Sequence, residues 1–302
     1  MDFQTIYAHG KLLLTAEYAV LDGALALAIP TVFGQKFTVK KTLSNTNSIK
    51  WKSFDNQGNL WLDTNYPKEN PQGEEVLLHS IFDYIKFNVS DFSKYDYEIE
   101  AHLEFPRNWG LGSSSTLIYF LGKLFKINPY DLNEQFFKGS GYDIACAGED
   151  NPIKFMKKEG NYYLSETSID WSFKKNLFFV FLGKKKNSRE AIKYYHKQKS
   201  SDAFIQKMNA LTNAFLLSSN LREFQALMEE HENILAERLQ TVPVKESLFQ
   251  DLDGAVKSLG AWGGDFVLIA TKWSENELKD YLKAKEMDVI IPFDEMIFKK
   301  QA

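Results

Sequence analysis

A run of glycines and serines stands where the sequence pattern changes from strand to helix. The run is Gly110-Leu111-Gly112-Ser113-Ser114-Ser115, and it follows an alternating segment that ends at Phe105. The first N–H groups of a helix have no partner within it, and with the helix dipole they favour an anion. A serine hydroxyl there can reach a bound Mg²⁺ or simply cap the helix. The run therefore predicts a phosphate-binding turn, with a helix cap as the alternative, and it lacks the Lys-Ser/Thr ending of a Walker loop.

An aspartate and a lysine elsewhere in the chain could act as a pair. Asp143 lies among small and apolar residues, where a carboxylate is costly without a cation beside it. A nearby lysine could supply that cation and keep Asp143 ionised as a proton acceptor for a hydroxyl. Lys11 stands at the edge of the apolar run Leu12 to Leu14. The alternatives are a helix N-cap role for Asp143, an exposed strand end for Lys11, and a solvent or turn position for Glu17.

The elements that must position these residues form a mixed α and β pattern without an internal repeat. A change of pattern near residue 170 predicts two domains, 1–170 and 171–302. Residues 42–73 are predicted to be a loop region or irregular hairpins. Strands are expected at 12–14, 25–29, 37–39, 97–105, 177–182 and 266–270, and helices at 74–87, 116–125, 188–199, 202–218 and 221–239.

Two helices carry more specific predictions. Ser274 followed by Glu277 is a capping-box pattern, which predicts that a helix begins there. The helix over 74–87 is expected to bury one face made of Val76, Leu77, Ile81, Tyr84 and Ile85.

Composition excludes several classes of protein. The formal net charge of −4 over 302 residues gives no field that would hold nucleic acid, so we expect no nucleic-acid partner. No segment approaches the roughly 18 apolar residues that cross a bilayer, and the first residues do not look like a signal peptide, so a cytoplasmic protein without a membrane partner is expected. Cys146 is the single cysteine, and its apolar neighbours predict a packed thiol.

Together, the motifs resemble the GHMP kinase superfamily, which includes galactokinase, homoserine kinase, mevalonate kinase and phosphomevalonate kinase. The amino-terminal motif matches at His9-Gly10-Lys11 and Ala16-Glu17-Tyr18-Ala19-Val20, with His9 for a proline and Ala16 for a glycine. Gly110 to Ser115 matches intact, and Gly141-Tyr142-Asp143-Ile144-Ala145 resembles the signature of a bacterial branch. Near the carboxyl end, Gly260-Ala261-Trp262-Gly263-Gly264-Asp265 resembles the third motif of the family, which is Gly-Ala followed by a run of glycines. Trp262 stands in place of one of those glycines.

This resemblance implies an α+β fold, with a ribosomal-protein-S5-domain-2-like amino-terminal domain and a ferredoxin-like carboxyl-terminal domain. It implies a kinase that uses ATP and Mg²⁺, with Asp143 as the base and Lys11 as its partner. The resemblance assigns nucleotide binding to Gly110, Leu111, Gly112, Ser113, Ser114 and Ser115, and metal binding to Ser114 and Glu134. Substrate contacts are assigned to Glu17, Tyr18, Gly260, Ala261, Gly263, Gly264 and Asp265.

The expected acceptor is mevalonate or phosphomevalonate. The segment Glu17 to Leu21 and the Gly-Gly-Asp ending resemble phosphomevalonate kinase more than mevalonate kinase. A basic loop that contains Lys184, Ser188 and Arg189 could hold a carboxylated or phosphorylated substrate, or could be an ordinary solvated loop. The alternative functions are a diphosphomevalonate decarboxylase-like enzyme and a nucleotide-binding protein without transfer activity.

Overall fold

The protein is described by a computed structural model that covers residues 2–43, 46–183, 192, 194–260, 262 and 264–299. Its chain divides into two compact units, each assembled from separate segments. The first unit is Met1–Gly10, Phe33–Arg107 and Leu111–Gly148, and the second is Lys11–Val32, Asn108–Gly110 and Glu149–Ala302. The predicted functional boundary near residue 170 stays a prediction.

The elements confirm a mixed α+β architecture. The strands are β1 (Asp2–Leu13), β2 (Ala26–Leu43), β3 (Ile49–Phe54), β4 (Leu60–Tyr66), β5 (Tyr95–Leu103), β6 (Ile153–Lys158), β7 (Asn161–Glu166), β8 (Leu177–Phe181), β9 (Gly254–Ser258), β10 (Phe266–Thr271) and β11 (Ile290–Pro292). The helices are α1 (Glu74–Asn88), α2 (Ser113–Phe125), α3 (Pro129–Phe136), α4 (Tyr142–Ala147), α5 (Asp202–Leu217), α6 (Leu221–Leu239), α7 (Val244–Leu248), α8 (Glu275–Lys283) and α9 (Phe293–Met296). Among the described residues, no helix is both long and apolar enough to cross a membrane.

In the first unit, the strands pair in the order β4-β3-β5-β2, and β1 pairs with β2. Strands β3 and β4 form an antiparallel hairpin with a register shift between Ser53 and Phe54, so the irregular-hairpin prediction for residues 42–73 is confirmed. Strand β3 runs parallel to β5, whereas β2 runs antiparallel to β5. The inward side chains pack in one aromatic core, in which the rings of Phe37 and Phe120 stack at 4.0 Å.

Helix α1 closes part of that core with a face that matches the predicted one in part, since Ile81 and Ile85 are buried and Tyr84 packs partly buried against the core. Val76 and Leu77 are 47% and 39% exposed, so their predicted burial is wrong. The buried apolar positions are Leu78, Ile81, Phe82 and Ile85, which follow the i, i+3, i+4, i+7 spacing of a helical stripe. Cys146, in α4, is buried, which agrees with the packed thiol that its apolar neighbours predicted.

The second unit contains an antiparallel sheet in the order β11-β8-β10-β9. Every residue of β8 and β10 is buried, which explains their continuous apolar sequences. The first residues of β2, Ala26–Ala28, pair with β6, and β6 forms a hairpin with β7. The capping box of Ser274 and Glu277 opens α8, as predicted.

Candidate functional site

The start of helix α2 is not capped by a side chain. Its N-cap residue is Gly112, with a left-handed φ of 95°, and no side-chain cap bond is formed. Ser113 and Ser114 are exposed in the first turn, whereas Ser115 is buried and its Oγ donates to the Gly112 carbonyl at 2.8 Å. The alternative in which a serine caps this helix is therefore wrong. An exposed first turn with two hydroxyls fits an anion and a metal-bound phosphate.

A buried hydrogen bond to the neighbouring sheet fixes the position of this helix start. Thr116 Oγ1 donates to Gln35 Oε1 at 2.6 Å, and both side chains are buried within the first unit. Gln35 belongs to β2, so the strand holds the first turn of α2 in place. Sequence patterns gave no signal for Gln35, because its partner lies 81 positions away.

Asp143 lies in the first turn of α4, one residue inside the helix. The N-cap is Gly141, with φ 91°, so the N-cap alternative for Asp143 is wrong. Asp143 is partly exposed, and its Oδ1 accepts from the Ile144 amide at 3.1 Å. A partly exposed carboxylate on a rigid helical turn can still receive a proton from a bound hydroxyl.

The predicted metal ligand Glu134 is exposed on α3, whereas its neighbour Asn133 is buried. Asn133 Nδ2 donates to the Gly139 carbonyl at 3.0 Å and so ties α3 to the segment that leads into α4. Sequence reasoning missed this asparagine. Within the described parts of the chain, no three His, Cys, Asp or Glu side chains group as a metal cage. The exposed hydroxyls and single carboxylates suit Mg²⁺ instead, which is often held by few protein ligands together with phosphates and water.

Residues of three sequence motifs meet inside the second unit. Lys11 Nζ donates to the Gly110 carbonyl at 2.9 Å, so the exposed strand end proposed as the alternative for Lys11 is not found. Gly110 has φ +68°, and a Cβ built there would lie 2.2 Å from Asp265 Oδ2. Gly260 also has φ +68°, and its Cβ would lie 4.0 Å from the same oxygen. The Asp265 carboxylate therefore lies close to two glycine backbones, and a side chain at Gly110 would be strained and would force Asp265 to move.

The segment Ala16–Tyr18, which we name the buried turn, also lies in the second unit. Glu17 is 1% exposed, so the alternative that places it in solvent is wrong. Its Oε1 is bonded to the ammonium of Lys257, which is 0% exposed and also donates to the Ser258 carbonyl at 3.0 Å. Tyr18 is buried, and its hydroxyl accepts from the Trp262 amide at 3.1 Å.

Two further ionisable side chains complete this buried cluster. His231 Nε2 accepts from the Ala16 amide at 2.9 Å, so that the ring is neutral and its 3.3 Å approach to Glu17 Oε2 is not an ion pair. Burial, and then the charge of Lys257, lower the pKa of His231. The Glu232 carboxylate accepts two hydrogen bonds from Ser258, one from its amide at 3.0 Å and one from its hydroxyl Oγ at 3.2 Å. Burial raises the pKa of Glu232 to about 8, against the opposing effect of Lys257.

Burial also raises the pKa of Glu17, and Lys257 opposes that shift. The arrangement satisfies the Lys257 charge with a carboxylate, because an ammonium cannot be buried alone. The sequence analysis did not predict that Glu232 and Lys257 belong to a buried ionisable cluster around Glu17. The remaining predicted residues Lys184, Ser188, Arg189, Ala261 and Gly263 lie outside the described residues, and Gly264 is buried beside Asp265.

This fold is the one that GHMP-type small-molecule kinases share, as the resemblance of the motifs implied. The phosphomevalonate kinase of Streptococcus pneumoniae, solved with phosphomevalonate and AMPPNP, superposes with a TM-score of 0.71 at 15% identity, over 95% of this chain and 98% of that one. The mevalonate kinase of Methanococcus jannaschii gives a TM-score of 0.67 at 17% identity, over 96% and 97%.

A galactokinase of Lactococcus lactis, solved with galactose, gives a TM-score of 0.67 at 12% identity, over 94% and 88%. No protein-family model and no curated protein sequence matches the chain. At these identities the likeness is one of fold, and it confirms the expected fold class.

Proposed function

We propose that this protein is an ATP-dependent kinase that transfers the γ-phosphoryl group of ATP to a hydroxyl of a small molecule. The observation that carries the proposal is the uncapped start of α2, where Gly112 opens the helix and Ser113 and Ser114 are exposed. It occurs on a fold that several small-molecule kinases share. Such a helix start is suited to binding the phosphates of a nucleotide.

The proposed roles follow from what each side chain can do. Mg·ATP supplies the transferable phosphoryl group, with its phosphates beside residues 110–115 and its metal held by Ser114 and Glu134. Asp143 orients the acceptor hydroxyl and accepts its proton, while Lys11 offsets negative charge on the transferring group. The pairing of Asp143 with Lys11 belongs to this proposal. Catalysis of this kind rests on positioning and electrostatics, because phosphoryl transfer needs little covalent help from the protein.

The acceptor that we propose is mevalonate or phosphomevalonate. Support comes from the motif resemblance and from two solved structures of like fold that are named for these two substrates' kinases. Sugars and sugar phosphates are the competing acceptors, since a galactokinase and a heptose 1-phosphate kinase share the fold as well.

The test measures ADP release from Mg·ATP with mevalonate, phosphomevalonate, diphosphomevalonate, homoserine, galactose and a heptose 1-phosphate, for wild type and Asp143→Asn. We expect one acceptor to stimulate ADP release and Asp143→Asn to reduce kcat at least about 100-fold, since a positioned base contributes about 10²–10⁴. Asp131→Asn, an exposed aspartate in the first turn of α3, is the matched control and should keep wild-type turnover.

Three results would contradict parts of this proposal. Absence of Mg·ATP binding would reject the kinase assignment, and ATP binding without turnover on any acceptor would favour a nucleotide-binding protein. Release of CO₂ with ADP from diphosphomevalonate would replace simple phosphorylation by a decarboxylase reaction.

A further inference from the structure

The buried turn holds an unfavourable backbone conformation at two residues. Ala16 has φ 62° and Tyr18 has φ 61°, both in the left-handed region that residues with a Cβ avoid. Both side chains are buried, at 0% and 6% exposure, so the turn is not a surface irregularity. Such a conformation persists only where the surrounding structure fixes it, and it is often found beside functional sites.

Three hydrogen bonds tie this turn to distant segments of the chain, and each of its three residues takes part in one of them. The Ala16 amide donates to His231 on α6, the Glu17 carboxylate accepts from Lys257 on β9, and the Tyr18 hydroxyl accepts from the amide of Trp262. Two of these three partners belong to one stretch of chain, because Lys257 directly precedes the segment 258–265 and Trp262 lies within it. The turn is therefore fastened to the strand and the loop that carry Gly260 and Asp265.

The Lys257–Glu17 pair is the ionic contact of the three. Both side chains are almost completely buried, and Lys257 bonds to the carbonyl of Ser258 as well. Glu232 and His231 are the other ionisable groups of the cluster, on α6. Replacing a buried pair by apolar residues of similar size often keeps or improves stability, so stability alone does not explain these charges.

The same three motifs converge at Gly110. Lys11 lies on β1 shortly before the buried turn and donates to the Gly110 carbonyl, and the carboxylate of Asp265 would have to move to admit a side chain at Gly110. Lys11 and Asp265 thus both contact the same residue, Gly110. The buried turn connects their two segments a second time, through its hydrogen bonds to Lys257 and Trp262.

We propose that Glu17 and Lys257 are positioning residues, which hold the strand that carries Lys11 and the described residues Gly260, Trp262 and Asp265 in the relative placement that phosphoryl transfer requires. This inference rests on the proposed kinase function. It assigns both residues a role through Lys11 and Asp265 and not through contact with substrate, because neither side chain is exposed. It therefore differs from the substrate contact that the sequence resemblance assigned to Glu17.

The experiment compares Lys257→Met with the double variant Glu17→Met/Lys257→Met. We expect the single variant to lose thermal stability, since Glu17 is left buried without its cation. The double variant should recover the melting temperature yet show a kcat at least about tenfold below wild type, with the KM for ATP changed less than about threefold, because misplacement of reacting groups lowers turnover. Lys245→Met, which breaks the surface pair with Glu229, is the control and should leave kcat unchanged.

A double variant with both wild-type stability and wild-type kcat would overturn the inference. Amide hydrogen exchange at residues 15–19 and 257–262 gives a second measurement that does not depend on activity. We expect exchange there to be at least about tenfold faster in the double variant, and unchanged exchange would overturn the inference even if wild type proved to have no kinase activity. Absence of wild-type turnover, with the exchange difference present, would reject the proposed function alone.

Discussion

The start of α2 in the first unit and the buried turn in the second unit use polar side chains in opposite ways. At the start of α2, Ser113 and Ser114 are exposed and no side chain caps the helix. In the buried turn, Glu17 is enclosed and bonded to Lys257, and Tyr18 to a backbone amide. The first region is suited to receive a ligand and the second to hold backbone segments in place. Burial and partner, more than residue type, therefore decide what a polar group in a motif can do.

The sharpest test of how closely the second unit is packed is Gly110→Ala. The new Cβ would lie 2.2 Å from Asp265 Oδ2, on a backbone with φ +68°. Left-handed strain and overpacking together should lower the free energy of unfolding by about 2–4 kcal/mol, measured by urea denaturation. Gly58→Ala is the control, since Gly58 has φ +82° with no atom within 4 Å of the new Cβ. Equal losses in the two variants would show that Asp265 moves away easily.

The next prediction concerns the pH dependence of stability and Glu232. Its folded pKa of about 8 lies above the ordinary 4.5, because burial outweighs the attraction of Lys257. Folded protein therefore keeps a proton that the unfolded chain releases between these two values, so this contribution to stability is complete below pH 4.5 and is lost as pH rises to 8.

Glu232→Gln should remove that slope, which amounts to at most about 1.4 kcal/mol per pH unit. Urea denaturation at a series of pH values between about pH 5 and pH 9 measures the free energy of unfolding and so this slope. Glu17, Lys257 and His231 stay in place in this variant, and Glu229→Gln on the exposed part of the same helix is the matched control. An unchanged slope in Glu232→Gln would assign the pH dependence to another group.

The smallest expected effect separates two neighbouring serines at the start of α2. Ser115→Ala removes a partly buried hydrogen bond to the Gly112 carbonyl and should cost about 1 kcal/mol of stability. Ser114→Ala changes an exposed residue and should alter stability by less than about 0.5 kcal/mol, while weakening Mg·ATP binding in titration calorimetry. The contrast between the exposed and the buried serine would fail if Ser114 proved the more important residue for stability and Ser115 the more important one for binding.

Local patterns predicted the elements well but not the long-range partners. The strand over β8 and the helix α2 follow from uninterrupted apolar runs and from the glycine-serine turn, both readable within a short window. The burial of Glu17 could not be predicted from the sequence, because its partner Lys257 lies 240 positions further on. A carboxylate without a visible partner is expected at the surface. The face of α1 was misjudged in part, since Val76 and Leu77 are apolar but exposed.

One local signal was present for the buried turn. Ala16 stands where the resembling motif has a glycine, and its φ of 62° shows why a glycine suits that position. The motif resemblance singled out position 16 but could not show that contacts with His231 and Lys257 fix the turn, because those contacts depend on packing between distant segments. Asn133 and Gln35 were missed for the same reason.

The hydrogen bond from Lys11 to the Gly110 carbonyl has a consequence for tolerance to mutation. A main-chain oxygen is present whatever side chains surround it, so the lysine is placed by the path of the backbone and not by the identity of a neighbouring residue. Substitutions around it can therefore accumulate as long as that path, which favours a glycine at position 110, is kept. An anchor of this kind suits a fold whose solved examples share only 12–17% of their residues with this chain.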